Sequence, residues 1–361
     1  MTPISFGAAT TARRRVRRAL ATAAVTIVAL ASLTACTSND DAATPTQPEA
    51  EEITLTVYSG RNENLVGELF SRFTEATGIN VEVRYGNSAE LAALIEEEAA
   101  NTPADLFYAQ DAGALGALEL AGRFAAVPGD IIDSVDPLFR SRTDAWVGVN
   151  GRARVIAYNN TLVDAADTPN SVFELTDPKW RGKVGWSSQN ASFQAFVTAL
   201  RVTQGDDVAQ AWLEGMIAND VVDFENNSGL LDGVARGEVE LGLTNHYYLY
   251  RTLAEDPSYP VTNKYLPGDI GGLVNIAGVG VLRDSTKKDA AFALARFLLS
   301  EEIQTWFAQE TAAPEYPLRD GIPASDRLPS IQEIDPPNVD LTRIADLQGT
   351  LEMLRAVGAL G

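Results

Sequence analysis

The sequence predicts an α/β protein of two lobes, each built on a mainly parallel sheet with flanking helices. Strand-like and helix-like segments alternate from Ile53 onwards, and strands separated by amphipathic helices predict parallel sheets that are covered on both faces. A strand near residues 153–158 then precedes a second series of the same kind. With 361 residues, of which 45% are hydrophobic, the chain is long enough for one large or two medium domains.

The first lobe is predicted from three strands and the helices between them. Apolar residues recur at helical spacing after the first strand, and Gly78 is expected to end that helix. Asn87, with Glu90 three residues later, predicts a capping box at the start of the next helix. The predicted strands are residues 53–58, 79–85 and 105–108.

The second lobe is predicted from the later series, and strands near residues 153–158 and 273–282 are expected to cross between the lobes. A long helix is predicted over residues 288–307. Ligands of such folds bind between the lobes, where strands end and helices begin. The second series has predicted strands at 183–186 and 239–243, and predicted helices at 193–202, 208–217 and 230–235. The predicted boundaries are 53–155 with 273–318 for lobe 1, and 156–272 with 319–361 for lobe 2.

The N-terminal segment is typical of an exported lipoprotein. A basic run from Arg13 to Arg18 leads into a short apolar stretch, and Leu33-Thr34-Ala35-Cys36 is similar to a bacterial lipobox. We expect residues 1–35 to be a signal peptide, Cys36 to be lipidated, and residues 36–52 to form a flexible tether. The protein would then be anchored at the outer face of the cell membrane or lie in the periplasm. An ordinary signal peptide is the alternative, and the export route is left open between the general and the twin-arginine pathways.

Charge and composition exclude several classes of function. The chain has 28 Lys and Arg against 49 Asp and Glu, a formal net charge of −21, which disfavours nucleic acid as a partner. One Cys and one His exclude a disulfide framework and a Cys/His zinc cluster. A nucleophilic triad is also disfavoured, because no Gly-x-Ser-x-Gly motif is present. Carboxylate catalysis stays open, but we expect a binding protein and not an enzyme.

Three tyrosines are candidate ligands of a metal. Tyr247 and Tyr248 directly follow the strand 239–243, and Tyr158 ends the strand predicted near residues 153–158. Phenolate is an anionic oxygen donor that suits a hard trivalent cation, and three phenolates neutralise Fe³⁺. Aromatic residues at such positions are also common in protein cores, which is the structural alternative.

Two polar turns are further candidates for the same cleft. Glu63 follows the first predicted strand, where its carboxylate is expected to complete the coordination of the metal. Residues 187–192 are small and polar and precede a helix, whose free amides can bind an anion. Ordinary capping of the helix explains these residues equally well.

The sequence resembles the periplasmic ferric-ion-binding proteins of ABC iron importers, within the type II solute-binding proteins. The resemblance covers nearly all of the chain from Ile53 to about residue 320. No single motif in it is specific, but their order and spacing are. The motifs are Val57-Tyr58-Ser59-Gly60-Arg61, Pro103-Ala104-Asp105-Leu106-Phe107-Tyr108, Gly151-Arg152-Ala153-Arg154-Val155-Ile156-Ala157-Tyr158, Asp177-Pro178-Lys179-Trp180-Arg181-Gly182-Lys183, Asn245-His246-Tyr247-Tyr248 and Glu315-Tyr316-Pro317-Leu318.

The resemblance implies a two-lobe type II periplasmic-binding-protein fold and a set of site residues. Tyr247 and Tyr248 would bind Fe³⁺, and Tyr158 would match the third tyrosine that a subset of the family uses. A carbonate, bicarbonate or phosphate ion would bind with the iron. The partners would be the membrane subunits of an ABC permease, and the protein would act as a monomer. The residues implied for the anion are Arg152, Asn190, Ser192, Asn227 and Asn245.

The sequence departs from the family at the expected ligands of the first lobe. Asn62 replaces a family histidine, Gln110 replaces a family glutamate, and Glu63 lies where tyrosine-rich members have a ligand tyrosine. We therefore expect iron to bind through the tyrosines of the second lobe with Glu63, water or a captured anion. His246 is interpreted as a packing or hydrogen-bonding residue. The alternative is the same fold with another small solute, such as a polyamine, thiamine, sulfate, a phosphonate or a sugar.

Overall fold

A computed structural model describes residues 52–360. The predicted signal peptide, the lipidation site Cys36 and the tether up to Glu51 lie outside the described residues. The strands of the described part are β1 (Thr54–Ser59), β2 (Asn80–Tyr85), β3 (Leu106–Ala109), β4 (Val147–Asn159), β5 (Val184–Trp186), β6 (Val222–Asp223), β7 (Leu241–Asn245), β8 (Val261–Lys264), β9 (Val274–Val281) and β10 (Tyr316–Pro317).

The helices of the described part lie between these strands and after the last of them. None of them is both long and apolar enough to cross a membrane. They are α1 (Glu63–Thr77), α2 (Ser88–Glu98), α3 (Ala112–Leu120), α4 (Gly129–Ile132), α5 (Ala191–Gln204), α6 (Asp206–Ala218), α7 (Asn227–Arg236), α8 (His246–Glu255), α9 (Lys288–Leu298), α10 (Glu301–Thr305), α11 (Ile331–Ile334) and α12 (Leu347–Ala356).

The strands form a sheet in the order β2-β1-β3-β9-β4-β7-β5-β6, and β10 and β8 pair with β4. The pairs β1/β2, β1/β3, β5/β6 and β5/β7 are parallel. Each antiparallel pair contains β4 or β9. We call the part from β2 to β9 the first section and the part from β7 to β6 the second section. Helices separate the parallel strands within each section, so the α/β prediction is confirmed.

Strand β4 belongs to both sections. Its first half pairs with β9 as far as Ala153, and from Arg154 onwards it pairs with β7 and β8. Each of its 13 residues is buried, although the sequence suggested a strand only near residues 153–158. The glycines, Asn150 and the arginines in its first half interrupt the apolar pattern, so the sequence did not predict that half as a strand. The change of partner lies close to the predicted lobe boundary, and the boundaries themselves stay a prediction.

Helix α1 shows how the local sequence produces the predicted elements. The side chain of Asn62 accepts a hydrogen bond from the N–H of Asn64 at 2.9 Å and so caps the first turn. Val66, Leu69, Phe70 and Phe73 form its buried face. The helix ends at Gly78, whose φ of 72° lies in the left-handed region that glycine adopts without strain.

Two predictions about helices are wrong. Asn87 caps α2 through the N–H of Ala89, and among the described contacts no bond from Glu90 completes a capping box. The long helix predicted over residues 288–307 is divided into α9 and α10. The reason is Ser300, whose side chain accepts a hydrogen bond from the N–H of Ile303 and starts a new helix.

Candidate functional site

A group of buried charged side chains lies where β1, β3, β4 and the segment before β10 meet. The Nη1 of Arg61 donates to the side-chain oxygen of Gln110 at 3.2 Å, and its Nη2 donates to Glu315 at 2.9 Å. Arg152 donates to the main-chain oxygen of Gln110. Only 2%, 3% and 6% of Arg61, Arg152 and Glu315 are exposed. Gln110 therefore links two buried guanidinium groups that share one buried carboxylate.

Positive charge is in excess within this group. Burial and the nearby charge of Arg61 both lower the pKa of Arg152. For Arg61, burial lowers the pKa, but Glu315 and nearby tyrosines raise it by more. The Asp111 carboxyl also interacts electrostatically with Arg152, and burial raises the pKa of Asp111. The Nε atoms of Arg61 and Arg152 are buried without a hydrogen-bond partner. Unused donors on excess positive charge are the features of an anion site.

Tyr247 and Tyr248 lie in the first turn of α8, directly after β7. Their rings are stacked, with centroids 4.4 Å apart and planes inclined by 26°, so both phenols lie on the same side of the turn. Burial, then the neighbouring Tyr248, raises the pKa of Tyr247, and the charge of Arg152 opposes the increase. The Tyr247 phenol is therefore protonated at neutral pH until a strong Lewis acid displaces its proton.

Tyr247 and the buried charged group belong to one site. Electrostatic interactions connect the Tyr247 hydroxyl with Arg61, Arg152 and Glu315. These partners come from the turn after β1, from β4 and from the segment before β10, whereas Tyr247 follows β7. The site therefore forms between the two sections of the sheet, where ligands of this architecture are expected.

Arg154 interacts both with Tyr248 and with the start of α5. Its Nη1 donates to the hydroxyl of Ser192 at 3.4 Å, and its guanidinium lies 5.3 Å from the ring centroid of Phe196. Burial lowers the pKa of Arg154 to about 10, and the charge of Tyr248 opposes this change. Its Nη2 is buried without a partner, so a third guanidinium has a donor available.

Of the predicted anion-binding residues, Ser192, Asn190 and Asn245 lie near Arg154 in the structure. Asn190 caps α5 through the N–H of Ser192 at 3.0 Å, which is the capping alternative raised from the sequence. Asn245 is the partner of Arg154 in the β4/β7 register. Asn227, at the start of α7, is buried, and neither its amide nitrogen nor its amide oxygen has a hydrogen-bond partner. An unpaired buried amide of this kind fits a residue whose partner is a ligand.

Tyr158 is not brought to the tyrosine pair. It lies opposite Leu241 at the start of β7, whereas Arg154 lies opposite Asn245 at the end of β7 from which the pair follows. Four residues of strand separate these positions by about 13 Å. The expectation that Tyr158 shares an ion with the pair therefore does not fit its position. The sequence analysis placed Tyr158 at the cleft because the sequence alone does not show that the middle of β4, and not its end, lies at the site.

Glu63 has no described contact with the charged group. It is an exposed residue at the start of α1, and its charge, after burial, raises the pKa of Tyr85 on β2. Sequence reasoning instead missed Glu315 as the carboxylate of the site. Its position in the Glu315-Tyr316-Pro317-Leu318 motif was the available signal.

His246 is a structural residue of the site. Its Nδ1 accepts a hydrogen bond from the N–H of Ala153 at 3.2 Å, and its Nε2–H donates to the main-chain oxygen of Pro314 at 3.0 Å. Burial lowers the pKa of His246 to about 4. Both ring nitrogens have partners, as the interpretation from sequence requires. Within residues 52–360, no three His, Cys, Asp or Glu side chains are placed to hold a metal.

Comparisons with known proteins identify relatives of this chain. Residues 101–339 match the family described as bacterial extracellular solute-binding proteins. Iron uptake protein A1 of Synechocystis sp. is 33% identical over 342 residues, covering 92% of this chain and 94% of that protein. The major ferric iron-binding protein of Neisseria meningitidis is 29% identical over 311 residues, covering 84% and 92%.

Solved structures show the same fold. Iron-bound HitA from Pseudomonas aeruginosa superposes with a TM-score of 0.77 at 32% identity, covering 85% of this chain and 99% of that chain. A Trichodesmium protein in complex with iron and citrate superposes with a TM-score of 0.73 at 27% identity, covering 84% and 99%. The predicted two-lobe fold of periplasmic binding proteins is confirmed by these likenesses.

Proposed function

The chain belongs to the family of bacterial extracellular solute-binding proteins, and we propose that it captures ferric iron together with a small anion for an ABC importer. Membership of a solute-binding family confirms that the protein is a binding protein and not an enzyme. Relatives named as iron uptake and ferric iron-binding proteins support the choice of iron.

The stacked pair of Tyr247 and Tyr248 is the observation that carries this proposal. Two adjacent phenol oxygens at the start of α8 offer a hard, anionic donor pair once both protons are displaced. Their negative charge is then balanced by the metal and by the nearby buried arginines. We assign the metal to Tyr247 and Tyr248, and we do not place Tyr158 in the ligand set. Glu63 stays a predicted ligand.

The anion is assigned to the arginines. Arg61 and Arg152 keep unpaired Nε donors, and Arg154 keeps an unpaired Nη2. Carbonate, bicarbonate or phosphate bound to these donors presents its remaining oxygens to the metal and replaces the protein ligands that Asn62 and Gln110 do not supply. Ser192, Asn190, Asn227 and Asn245 complete the proposed anion pocket.

Delivery follows from the proposed cargo. Phenols from the second section and arginines of the first section both bind the iron and its anion, so a bound cargo favours the closed arrangement of the lobes. The membrane subunits of an ABC permease are the proposed partner. We further propose that the protein is a monomer, exported by a signal peptide and anchored to the outer face of the cell membrane through Cys36.

An oxyanion without iron is the second candidate cargo. The three buried arginines favour it, whereas the same arginines disfavour a polyamine or thiamine, because a cationic solute would add to uncompensated positive charge.

Titration of the iron-free protein with ferric nitrilotriacetate in bicarbonate buffer tests the proposal. We expect one equivalent of iron by metal analysis and a visible phenolate-to-iron charge-transfer band. Binding of phosphate or sulfate without iron, followed by calorimetry, with no colour from any ferric source, would favour the second candidate.

A further inference from the structure

The ring of Tyr248 has two close neighbours, an aromatic ring and a positive charge. The ring of Tyr247 stacks on it with centroids 4.4 Å apart. The guanidinium carbon of Arg251 lies 5.5 Å from the same ring centroid. Arg251 follows Tyr248 by three positions in α8, and residues with this spacing lie on the same side of a helix. Tyr248 therefore contacts both the other proposed ligand and a cation.

The side chain of Arg251 is also attached to a second helix. Its Nη2 donates a hydrogen bond to the hydroxyl of Ser228 at 3.0 Å, and Ser228 is the second residue of α7. Ser228 directly follows Asn227, one of the proposed anion-binding residues. Although Arg251 is an exposed residue, its guanidinium has a partner in α7 as well as the aromatic ring in α8.

The charge of Arg251 is not paired with a carboxylate. Asp232 and Glu255 border the same groove between α7 and α8, but none of the ion pairs described within residues 52–360 contains Arg251. Asp232 accepts a hydrogen bond from the hydroxyl of Tyr259 at 2.7 Å. A cation within about 6 Å of an aromatic centroid is attracted to the ring, so the charge of Arg251 acts on Tyr248.

Arg251 differs in this respect from the arginines proposed for the anion. Arg154 also interacts with Tyr248, but it is buried and donates to Ser192 at the start of α5. Among the described contacts, Arg251 meets only Ser228 and the ring of Tyr248. Its effect on the site is therefore expected to pass through that ring.

We propose that Arg251 is a positioning residue of the ferric site, which holds Tyr248 for ligation and stabilises the negative charge of its bound oxygen. On ligation the phenol O–H bond breaks, an Fe–O bond forms, and the proton passes to the buffer. The ring then carries more negative charge, so its attraction to the guanidinium increases. This inference rests on the proposed function and adds a residue that acts on the metal through Tyr248.

The test is a titration of the iron-free protein and its variants with ferric nitrilotriacetate in bicarbonate buffer, followed by the visible spectrum and metal analysis. Arg251→Gln removes the charge, and Arg251→Lys keeps it. Arg84→Gln is the matched control, because it removes a largely exposed arginine that lies 5.3 Å from the ring centroid of Tyr58, a tyrosine outside the proposed ligand set. An arginine that only covers a ring would change the unfolding curve and leave the energy of the charge-transfer band unchanged.

We expect Arg251→Gln to shift the charge-transfer band to longer wavelength, because the phenolate electrons are held less tightly, and to weaken iron binding about two- to fivefold. Arg251→Lys and Arg84→Gln should keep the band of the unmodified protein. The response to bicarbonate concentration should be the same in all four proteins, because Arg251 has no described contact with the proposed anion-binding residues.

An unchanged band in Arg251→Gln would overturn the inference, and so would equal shifts in Arg251→Gln and Arg251→Lys. A shift of the same size in Arg84→Gln would also overturn it, because the effect would then not depend on Tyr248. If the unmodified protein bound no iron, the proposed function would fail and the inference with it.

Discussion

Arg61 and Glu315 are 254 positions apart in the chain, and their side chains form a buried ion pair with 2.9 Å between Nη2 and Oε1. Arg61 follows β1, and Glu315 precedes β10. The second carboxylate oxygen of Glu315 has no hydrogen-bond partner. The pair therefore fixes Arg61 beside Arg152 and Gln110, which gives the site its local excess of positive charge.

Removal of Glu315 should destabilise the iron-free protein. We expect Glu315→Ala to lower the free energy of unfolding by about 3–5 kcal/mol, because it leaves the charge of Arg61 buried without a partner. Urea unfolding followed by circular dichroism measures the change. Glu238→Ala removes the carboxylate of an ion pair with Arg236 in which both side chains are largely exposed, and it should leave the unfolding curve unchanged. A similar curve for both variants would contradict a buried, uncompensated Arg61.

Iron binding should depend on the tyrosine pair and not on Tyr158. Tyr247→Phe and Tyr248→Phe each remove one proposed phenolate, so we expect the double variant to lose the charge-transfer colour. Tyr158→Phe removes the same atom about 13 Å along β4 from the site and should keep the spectrum and the affinity of the unmodified protein. Colour titration of these variants checks this. A loss of colour in Tyr158→Phe would restore that residue to the ligand set.

Replacement of Arg152 should weaken iron binding through the anion. Hydrogen bonds to charged groups contribute about 1.5–3 kcal/mol, so we expect Arg152→Gln to reduce affinity for iron in bicarbonate about 10- to 100-fold. The affinity should also respond less to bicarbonate concentration. Arg251→Gln is a comparison that replaces an arginine located over the Tyr248 ring. An unchanged bicarbonate dependence in Arg152→Gln would place the anion elsewhere.

Acid should destabilise the iron-free protein through His246. A histidine in the unfolded chain binds a proton below about pH 6.5, whereas burial lowers the pKa of His246 in the fold to about 4. Its contribution is therefore complete above about pH 6.5, and stability falls as the pH decreases towards 4, because the unfolded state then binds more protons.

His246→Gln tests this contribution, since an amide can both accept from Ala153 and donate to Pro314. Between pH 7 and pH 4.5 we expect the unmodified protein to lose about 2–3 kcal/mol more unfolding free energy than His246→Gln. Urea unfolding at several pH values provides the comparison, and the shared carboxylates cancel from the difference. Parallel pH curves for the two proteins would show that His246 does not titrate as described.

The local patterns of the sequence predicted most of the strands and helices near the site. Helix α1 illustrates this, because its cap at Asn62, its apolar face and its end at Gly78 are encoded within 17 residues. Helix α9 marks the limit of that reasoning: the apolar pattern continues past Leu298, but the hydroxyl of Ser300 starts a separate helix.

The same patterns could not predict which residues lie together at the site. Tyr158 and Arg154 both belong to one buried strand, and only the antiparallel register with β7 shows that Arg154 lies at the end near the tyrosine pair. The only sequence signal for Glu315 was its place in a motif, because the burial that makes its charge important results from contacts with residues far away in the chain.

The sequence by itself therefore determined the α/β class, the exclusion of a Cys/His metal cluster and the candidate pair Tyr247 and Tyr248, since composition and periodicity act over short stretches of chain. Tertiary structure decided which charges adjoin that pair. It placed Arg61, Arg152 and Glu315 together in a buried space, separated Tyr158 from them, and left a cavity beside Gln110. Burial and register arise only when distant segments pack together, and these two properties set the charge of the site.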